Sequence, residues 1–252
     1  MRTDRPAVVF DLDGTLVDSA PDLHVLVNRL LIGAGRAALD LPSIVEMIGD
    51  GTTALIERAF QSGNLGLPPQ NLETLVERFI EDYEREPVRL TRPYPQVPET
   101  LGLLRSEGYR LGVCTNKLER LARAILGDLK LDQFFDAIVG GDSIGTRKPN
   151  PASLLETVRR LGPAIGSGVV MVGDSEVDEG AARNAGIPVV LVDYGYSRIP
   201  PASLRPDVLI GEFAALPRAL ERISRDVTLN AETDLARMQL LPAAASLLES
   251  GR

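Results

Sequence analysis

The sequence predicts an α/β protein: a parallel sheet covered by helices on both faces, with an all-helical segment inserted after the first strand. Three observations carry this. Apolar, β-branched runs recur along the chain: AVVFDL (7–12), RLGVCT (110–115), FDAIVG (135–140), GVVMVGD (168–174), PVVLVD (188–193) and DVLI (207–210). Helix-length segments lie between most of them, and near-continuous apolar strands alternating with helices indicate a parallel sheet buried on both sides. The alternation breaks once, from about Ser19 to Arg92, where no convincing strand is present.

The helices have legible ends. VPETLGLLRSEG (97–108) carries Pro98 in its first turn and Gly108 as a stop. NPASLLETVRRLG (150–162) offers Asn150 as N-cap, Pro151 at the first helical position and Gly162 at the end. Within the interruption, PDLHVLVNRLLIGAG (21–35), TTALIERAF (52–60) and NLETLVERFIEDYERE (71–86) repeat apolar residues at three-to-four spacing. Gly49, Gly51, Gly66 and Pro68–Pro69 punctuate them. The chain returns to the sheet near RPYPQVPETL (92–101). The expected division is a core from 1–18 plus 93–224, a helical insert over 19–92 and a C-terminal extension over 225–252, where Pro242 interrupts helical patterning and no strand follows.

Composition narrows the function. A chain of 252 residues, 44% apolar, is long enough for one large domain or two modest ones. The net charge of −8 argues against nucleic acid or an anionic membrane as main partner, while leaving a small anionic substrate open. A single cysteine, Cys114, rules out a disulfide framework and a cysteine-rich zinc site. No apolar stretch reaches the roughly 18 residues of a membrane span, and the N-terminus lacks a signal-peptide pattern, so a cytoplasmic location is expected. His24 is the one histidine, placed for packing or the surface, and Lys117, Lys130 and Lys148 are the only lysines.

Acids stand where strands end. In FDLDGT, Asp11 and Asp13 are two residues apart and point to one side at the carboxyl end of the first strand, where open α/β sheets bind ligands. Close carboxylates repel, and one would keep its proton unless a cation intervened. Oxygen-only ligation suits Mg2+. Asp174 closes a later strand through Gly173, and Asp178 follows near a helix start, where an acid also complements the helix dipole. Thr115 ends the strand RLGVCT. Lys148 precedes a helix with Pro149 behind it, and a compact ammonium there could neutralise phosphate oxygens and a carboxylate.

Taken in order, D-x-D-G-T, a Thr after the next core strand, a Lys-Pro before a helix and G-D-x-x-x-D resemble the haloacid dehalogenase (HAD) superfamily over residues 7 to about 211. The resemblance implies a Rossmann-like core with a helical cap domain over the site. It implies Asp11 as nucleophile, forming an aspartyl-phosphate, and Asp13 as the acid and then the base. Thr115 and Lys148 would bind the phosphoryl group. The Asp11 side chain, the Asp13 backbone carbonyl and Asp174 would hold Mg2+, with Asp178 supporting them.

Within the superfamily, IGDGTTALIERAF (48–60), VGGDSIGTRKPNPASLL (139–155) and MVGDSEVDEGAARNAGIPVVLVDYGY (171–196) are similar to bacterial phosphoglycolate phosphatases. That implies hydrolysis of 2-phosphoglycolate, with Lys117 and Asn116 as candidates for substrate contact. Asp50 stands where an Asn is common, and an acid facing inward there would disfavour an anionic ligand. Cap arginines Arg29 and Arg58 are expected to be solvated or ion-paired. Other chemistries divide on residues. A dehalogenase has no need of Asp13 or the metal acids, and a phosphonatase needs a cap lysine, which residues 1–116 lack. Sugar-phosphate phosphatases, including those for amino-sugar phosphates, pyrophosphatases and β-phosphoglucomutase-like phosphotransferases stay open, as does a non-catalytic binding module.

Overall fold

Residues 7–62, 72–162 and 168–226 are described by the structure, a computed structural model. The punctuation at Gly66 and Pro68–Pro69 and the extension from 227 onward lie outside them. In chain order, β1 (Ala7–Phe10) and β2 (Val17–Asp18) precede four helices: α1 (Ala20–Gly33), α2 (Leu41–Val45), α3 (Thr52–Gln61) and α4 (Leu72–Arg85). There follow β3 (Arg92–Pro93), α5 (Val97–Ser106), β4 (Arg110–Cys114), α6 (Glu119–Asp128), β5 (Ala137–Val139) and α7 (Ala152–Leu161). The chain continues through β6 (Val169–Gly173), α8 (Glu176–Ala185), β7 (Val189–Val192) and β8 (Val208–Ile210), and residues 216–226 are helical.

All six apolar runs become strands of one parallel sheet, ordered β5-β4-β1-β6-β7-β8. The order reverses beside β1, which pairs with β4 on one side and β6 on the other. This is the strand order of a Rossmann-like sheet, and the crevice outside the carboxyl ends at such a reversal is where ligands bind.

Alternation along β1 divides the core. Val8 and Phe10 pack with Leu101, Leu104, Leu121, Ile125 and Leu220 on one face. Ala7 and Val9 pack with Leu154, Leu161 and Ala182 on the other. Both faces are dry, so the apolar runs are continuous rather than alternating. Helix α7 begins one residue later than its sequence suggests. Pro151 already has helical angles and is the N-cap, while Asn150 Oδ1 accepts from the Ala152 amide at 2.9 Å.

The insert closes on its own apolar faces. Val27, Leu30 and Leu31 of α1 join Ile56 and Phe60 of α3 and Leu75, Phe79 and Tyr83 of α4 in the same buried cluster. The Leu39 carbonyl takes hydrogen bonds from Asn28 at 2.8 Å and His24 at 2.9 Å, so His24 serves packing as expected. Entry and exit of the insert form an antiparallel pair, Val17 opposite Pro93 and Asp18 opposite Arg92. Two-residue strands show no period, which is why the sequence hides this ribbon. Asp22 locks the exit by accepting from the Leu90 amide at 3.0 Å, the Thr91 amide at 2.8 Å and the Thr91 hydroxyl at 2.6 Å.

Candidate active site

The expected site residues arrive at one edge from separate elements. Asp11 and Asp13 follow β1, Thr115 to Lys117 follow β4, Lys148 precedes α7, and Asp174 follows β6. Asp11, Asp13, Thr115, Asn116, Lys117 and Asp174 line a cavity whose other wall comes from the insert, through Leu23, Ile48, Gly49, Gly51, Thr52 and Leu55.

Lys148 organises the acids. Its ammonium lies 2.9 Å from Asp11 and 2.6 Å from Asp178. Burial would lower its pKa, but the facing carboxylates of Asp11 and Asp178 outweigh burial and raise it, so it stays charged. Asp178 is fully buried and uses both oxygens. Oδ1 takes Lys148, and Oδ2 accepts from the Asp174 and Ser175 amides at 3.1 and 3.2 Å and from the Ser175 hydroxyl at 3.0 Å. It is the N3 member of a capping box on α8. The helix-end reading of Asp178 is therefore correct, and the same side chain also anchors Lys148.

Asp174 is held from two loops. Its Oδ2 accepts from the Tyr196 amide at 2.6 Å, and its Oδ1 accepts from the Thr15 hydroxyl at 3.3 Å. Gly14 and Gly195 make room for it. A Cβ on Gly195 would fall 2.3 Å from Asp174 Cβ, and one on Gly14, at φ +86°, 2.4 Å from its Oδ2.

Asp11, Asp174 and Asp178 each offer an oxygen, and these lie within 4.8 Å of one another. Burial pushes Asp11 up to about 7 and Asp174 well above the ordinary carboxylate range. Buried acids pushed toward protonation at an all-oxygen cluster fit a hard divalent cation, whose charge would remove the penalty. Asp178 is the most heavily engaged of the three, with Lys148 on Oδ1 and three donors on Oδ2, whereas Asp174 accepts one hydrogen bond on each oxygen.

Asp13 points elsewhere. Ser19 donates to its Oδ1 at 2.5 Å, and Lys117 Nζ lies 3.1 and 2.9 Å from its two oxygens. Asn116 spends its side chain on the frame, donating to the Gly49 carbonyl at 2.9 Å and the Lys148 carbonyl at 3.0 Å and accepting from the Lys148 amide at 2.9 Å. The Thr115 hydroxyl accepts from the Lys117 amide at 3.2 Å, which leaves its proton available to a ligand.

Several contributors give no sequence signal. Tyr196, three residues beyond Asp193 in DYGY, lines the cavity, donates to Asp18 at 2.5 Å and accepts from the Ala20 amide at 3.0 Å. Asp50 does not face the cavity as a bare acid. It pairs with Arg58 at 2.5 Å and with Arg198 at 2.9 Å, and Arg198 also binds Glu176 at 2.7 Å. Burial works to raise the Asp50 pKa, yet the two guanidiniums bring it below the usual value. The objection that an inward acid would repel an anionic ligand is thereby removed. Arg29 pairs with Asp82 at 3.5 Å, so Arg29 and Arg58 are both ion-paired, as anticipated.

A parallel sheet whose strand ends gather acids around a buried lysine defines a class of hydrolase. The profile of the family described as haloacid dehalogenase-like hydrolase matches residues 8–192, and the chain belongs to that family. A protein from Agrobacterium fabrum named phosphoglycolate phosphatase is 42% identical over 215 residues, 85% of this chain and 92% of that one. One of the same name from Rhodospirillum rubrum is 42% identical over 214 residues, 83% and 88% of the two chains. The crystal structure of a predicted phosphoglycolate phosphatase from Haemophilus somnus 129PT superposes with a TM-score of 0.79 at 33% identity, covering 86% of this chain and 98% of that one.

Proposed function

We propose that the protein is a Mg2+-dependent phosphatase for a small phosphomonoester, 2-phosphoglycolate, yielding glycolate and phosphate. The observation that carries this is the Asp11 carboxylate, held by Lys148 at the cavity floor, beside Asp174 and opposite the insert. In this reading Asp11 attacks phosphorus and forms an aspartyl-phosphate, dividing one displacement into two. Asp13 protonates the leaving alkoxide and then accepts the proton of the attacking water. Lys148 balances the charge on Asp11 and the phosphoryl oxygens, and the Thr115 hydroxyl donates to one of those oxygens. The Asp11 side chain, the Asp13 carbonyl and Asp174 would hold Mg2+, which when bound supplies positive charge to the phosphoryl group. Asp178 acts through Lys148 and the Asp174 backbone.

The insert is read as a cap that excludes water and selects the leaving group. Apart from Thr52, its cavity wall offers only Leu23, Ile48, Leu55 and two glycines, few side-chain partners for the hydroxyls of a polyhydroxylated sugar. The names carried by relatives at about 40% identity favour the same substrate. Among the described residues no helix is long and apolar enough to cross a membrane.

Phosphate release over a panel of monoesters, with 2-phosphoglycolate, hexose phosphates and pyrophosphate, tests the substrate. The highest kcat/KM is expected for 2-phosphoglycolate, and equal turnover of hexose phosphates would reject that specificity. Turnover of p-nitrophenyl phosphate with Mg2+, absent in Asp11→Asn, tests the reaction class. Equal rates in the two proteins would reject Asp11 as nucleophile.

A further inference from the structure

Lys117 joins the insert to the proton-handling acid. Its ammonium rests on both oxygens of Asp13, and on its other side it lies 4.9 Å from the ring centroid of Tyr83, on helix α4. Lys117 itself follows β4, so a buried chain of contacts runs from the insert through a core loop to the catalytic edge. Tyr83 is fully buried, and its hydroxyl, which makes no well-formed hydrogen bond, stands close enough to Lys117 to feel its charge. It meets Lys117 with its ring and the hydroxyl end of that ring, and so shields the ammonium from water on the insert side, while the other side of the pair borders the cavity.

Ion-pair attraction depends on that dryness. The same two charges attract several-fold more strongly in a protein interior than in water, and a cation over an aromatic face is favoured most when desolvated. With the ring in place, Asp13 is fixed by Lys117 and Ser19 together. With the ring withdrawn, water would compete for the ammonium, and the carboxylate would be held by Ser19 alone.

We propose that Lys117 is a positioning residue that holds the Asp13 carboxylate in its working orientation only while the Tyr83 ring of the insert covers it. The cap then does more than enclose the substrate: its seating completes the proton-transfer group. This role takes Lys117 out of direct substrate contact and rests on the reading of Asp13 as acid and base.

Steady-state kinetics of the full chain with Mg2+ and 2-phosphoglycolate tests it. Misplacing a reacting group lowers kcat rather than affinity, so Lys117→Met should lose roughly tenfold or more in kcat with KM shifted less than about threefold. Tyr83→Leu removes the ring and should fall toward the same kcat, while Tyr83→Phe keeps the ring and should lose far less. Because the two residues act in series, the Tyr83→Leu/Lys117→Met pair should be no slower than Lys117→Met alone. Should Tyr83→Leu not fold by circular dichroism, Tyr83→Met, whose flexible side chain adapts to the vacated space without an aromatic face, replaces it.

A rise in KM of more than about tenfold at unchanged kcat in Lys117→Met would make the lysine a substrate ligand and overturn the proposal. So would a double variant whose loss equals the product of the single losses. Asp13→Asn separates this from the underlying reading. Parent-like kcat in that variant would reject Asp13 as acid and base, whereas a crippled Asp13→Asn beside an unaffected Lys117→Met would reject only the positioning role.

Discussion

Lys148 and Asp178 form an ion pair at 2.6 Å with almost no exposure of either side chain, and the same ammonium reaches Asp11 at 2.9 Å. One buried cation thus serves both Asp11, the proposed nucleophile, and Asp178, which builds the frame. Lys148→Met leaves both carboxylates without their counter-charge. Breaking a buried pair from one side costs about 3–5 kcal/mol, and losing a positioned charge at a phosphoryl site lowers kcat by roughly 10²–10³-fold. Chemical denaturation and steady-state kinetics should show both losses. Lys148→Arg should not restore the rate, because a planar fork cannot replace a compact ammonium between two acids.

Removal of the metal should be felt more at high pH than at low. Asp11 is raised to about 7 from an ordinary 3.8 by burial. Between those values the folded protein keeps a proton that the unfolded chain has lost, so this group's contribution to stability falls as pH rises through the window. Above about 7 the folded carboxylate is charged, and Lys148 faces both it and Asp178, so a further cation is favoured. The gain in melting temperature from Mg2+ over EDTA should therefore be larger at pH 8 than at pH 5, and equal gains would contradict the assignment.

The glycines around Asp174 set its position. In Gly195→Ala the new methyl would meet Asp174 Cβ at 2.3 Å, so the acid must move. Displacing a group that orients a metal ligand typically costs about 10–100-fold in metal affinity. Titrating Mg2+ against activity should show a shift of that size, with saturating Mg2+ recovering part of the rate.

Asp50 tempers the charge beside the cavity. It neutralises Arg58 and Arg198, and Arg198 comes within 4.0 Å of where a Cβ would stand on Gly49, a cavity-lining residue. These side chains are partly exposed, so Asp50→Asn should change stability by no more than about 1 kcal/mol. The guanidiniums released from their shared partner should lower KM for an anionic substrate, and the gain should fade as salt is added. A raised KM at low salt would count against this.

The sequence was most legible where local chemistry and tertiary role coincide. Apolar runs that stop at Asp11, Thr115 and Asp174 announce strand ends, because a buried sheet has nowhere else to put polar residues. Capping at Pro98, Gly108 and Gly162 likewise acts through the nearest residues. Contacts between segments far apart in the chain were not legible. Tyr83 reads as one more apolar position on an amphipathic helix, and nothing nearby indicates that Lys117 lies over its ring. Asp50 reads as an unpartnered loop acid until Arg198, far along the chain, is folded against it. Asn116 looked available to a substrate because its partners are the backbones of Gly49 and Lys148, which leave no mark in the side-chain pattern.

The ribbon of β2 and β3 has a consequence for how such a protein can change. Asp18 and Arg92 are paired neighbours, so the insert leaves the sheet and rejoins it at almost one point. Loops between them can change in length without redirecting a core strand, provided that Ser19, Gly49 and Tyr83 keep their contacts with the core loops. A chemical engine can in this way be refitted for a new leaving group by altering the loops of a single cassette.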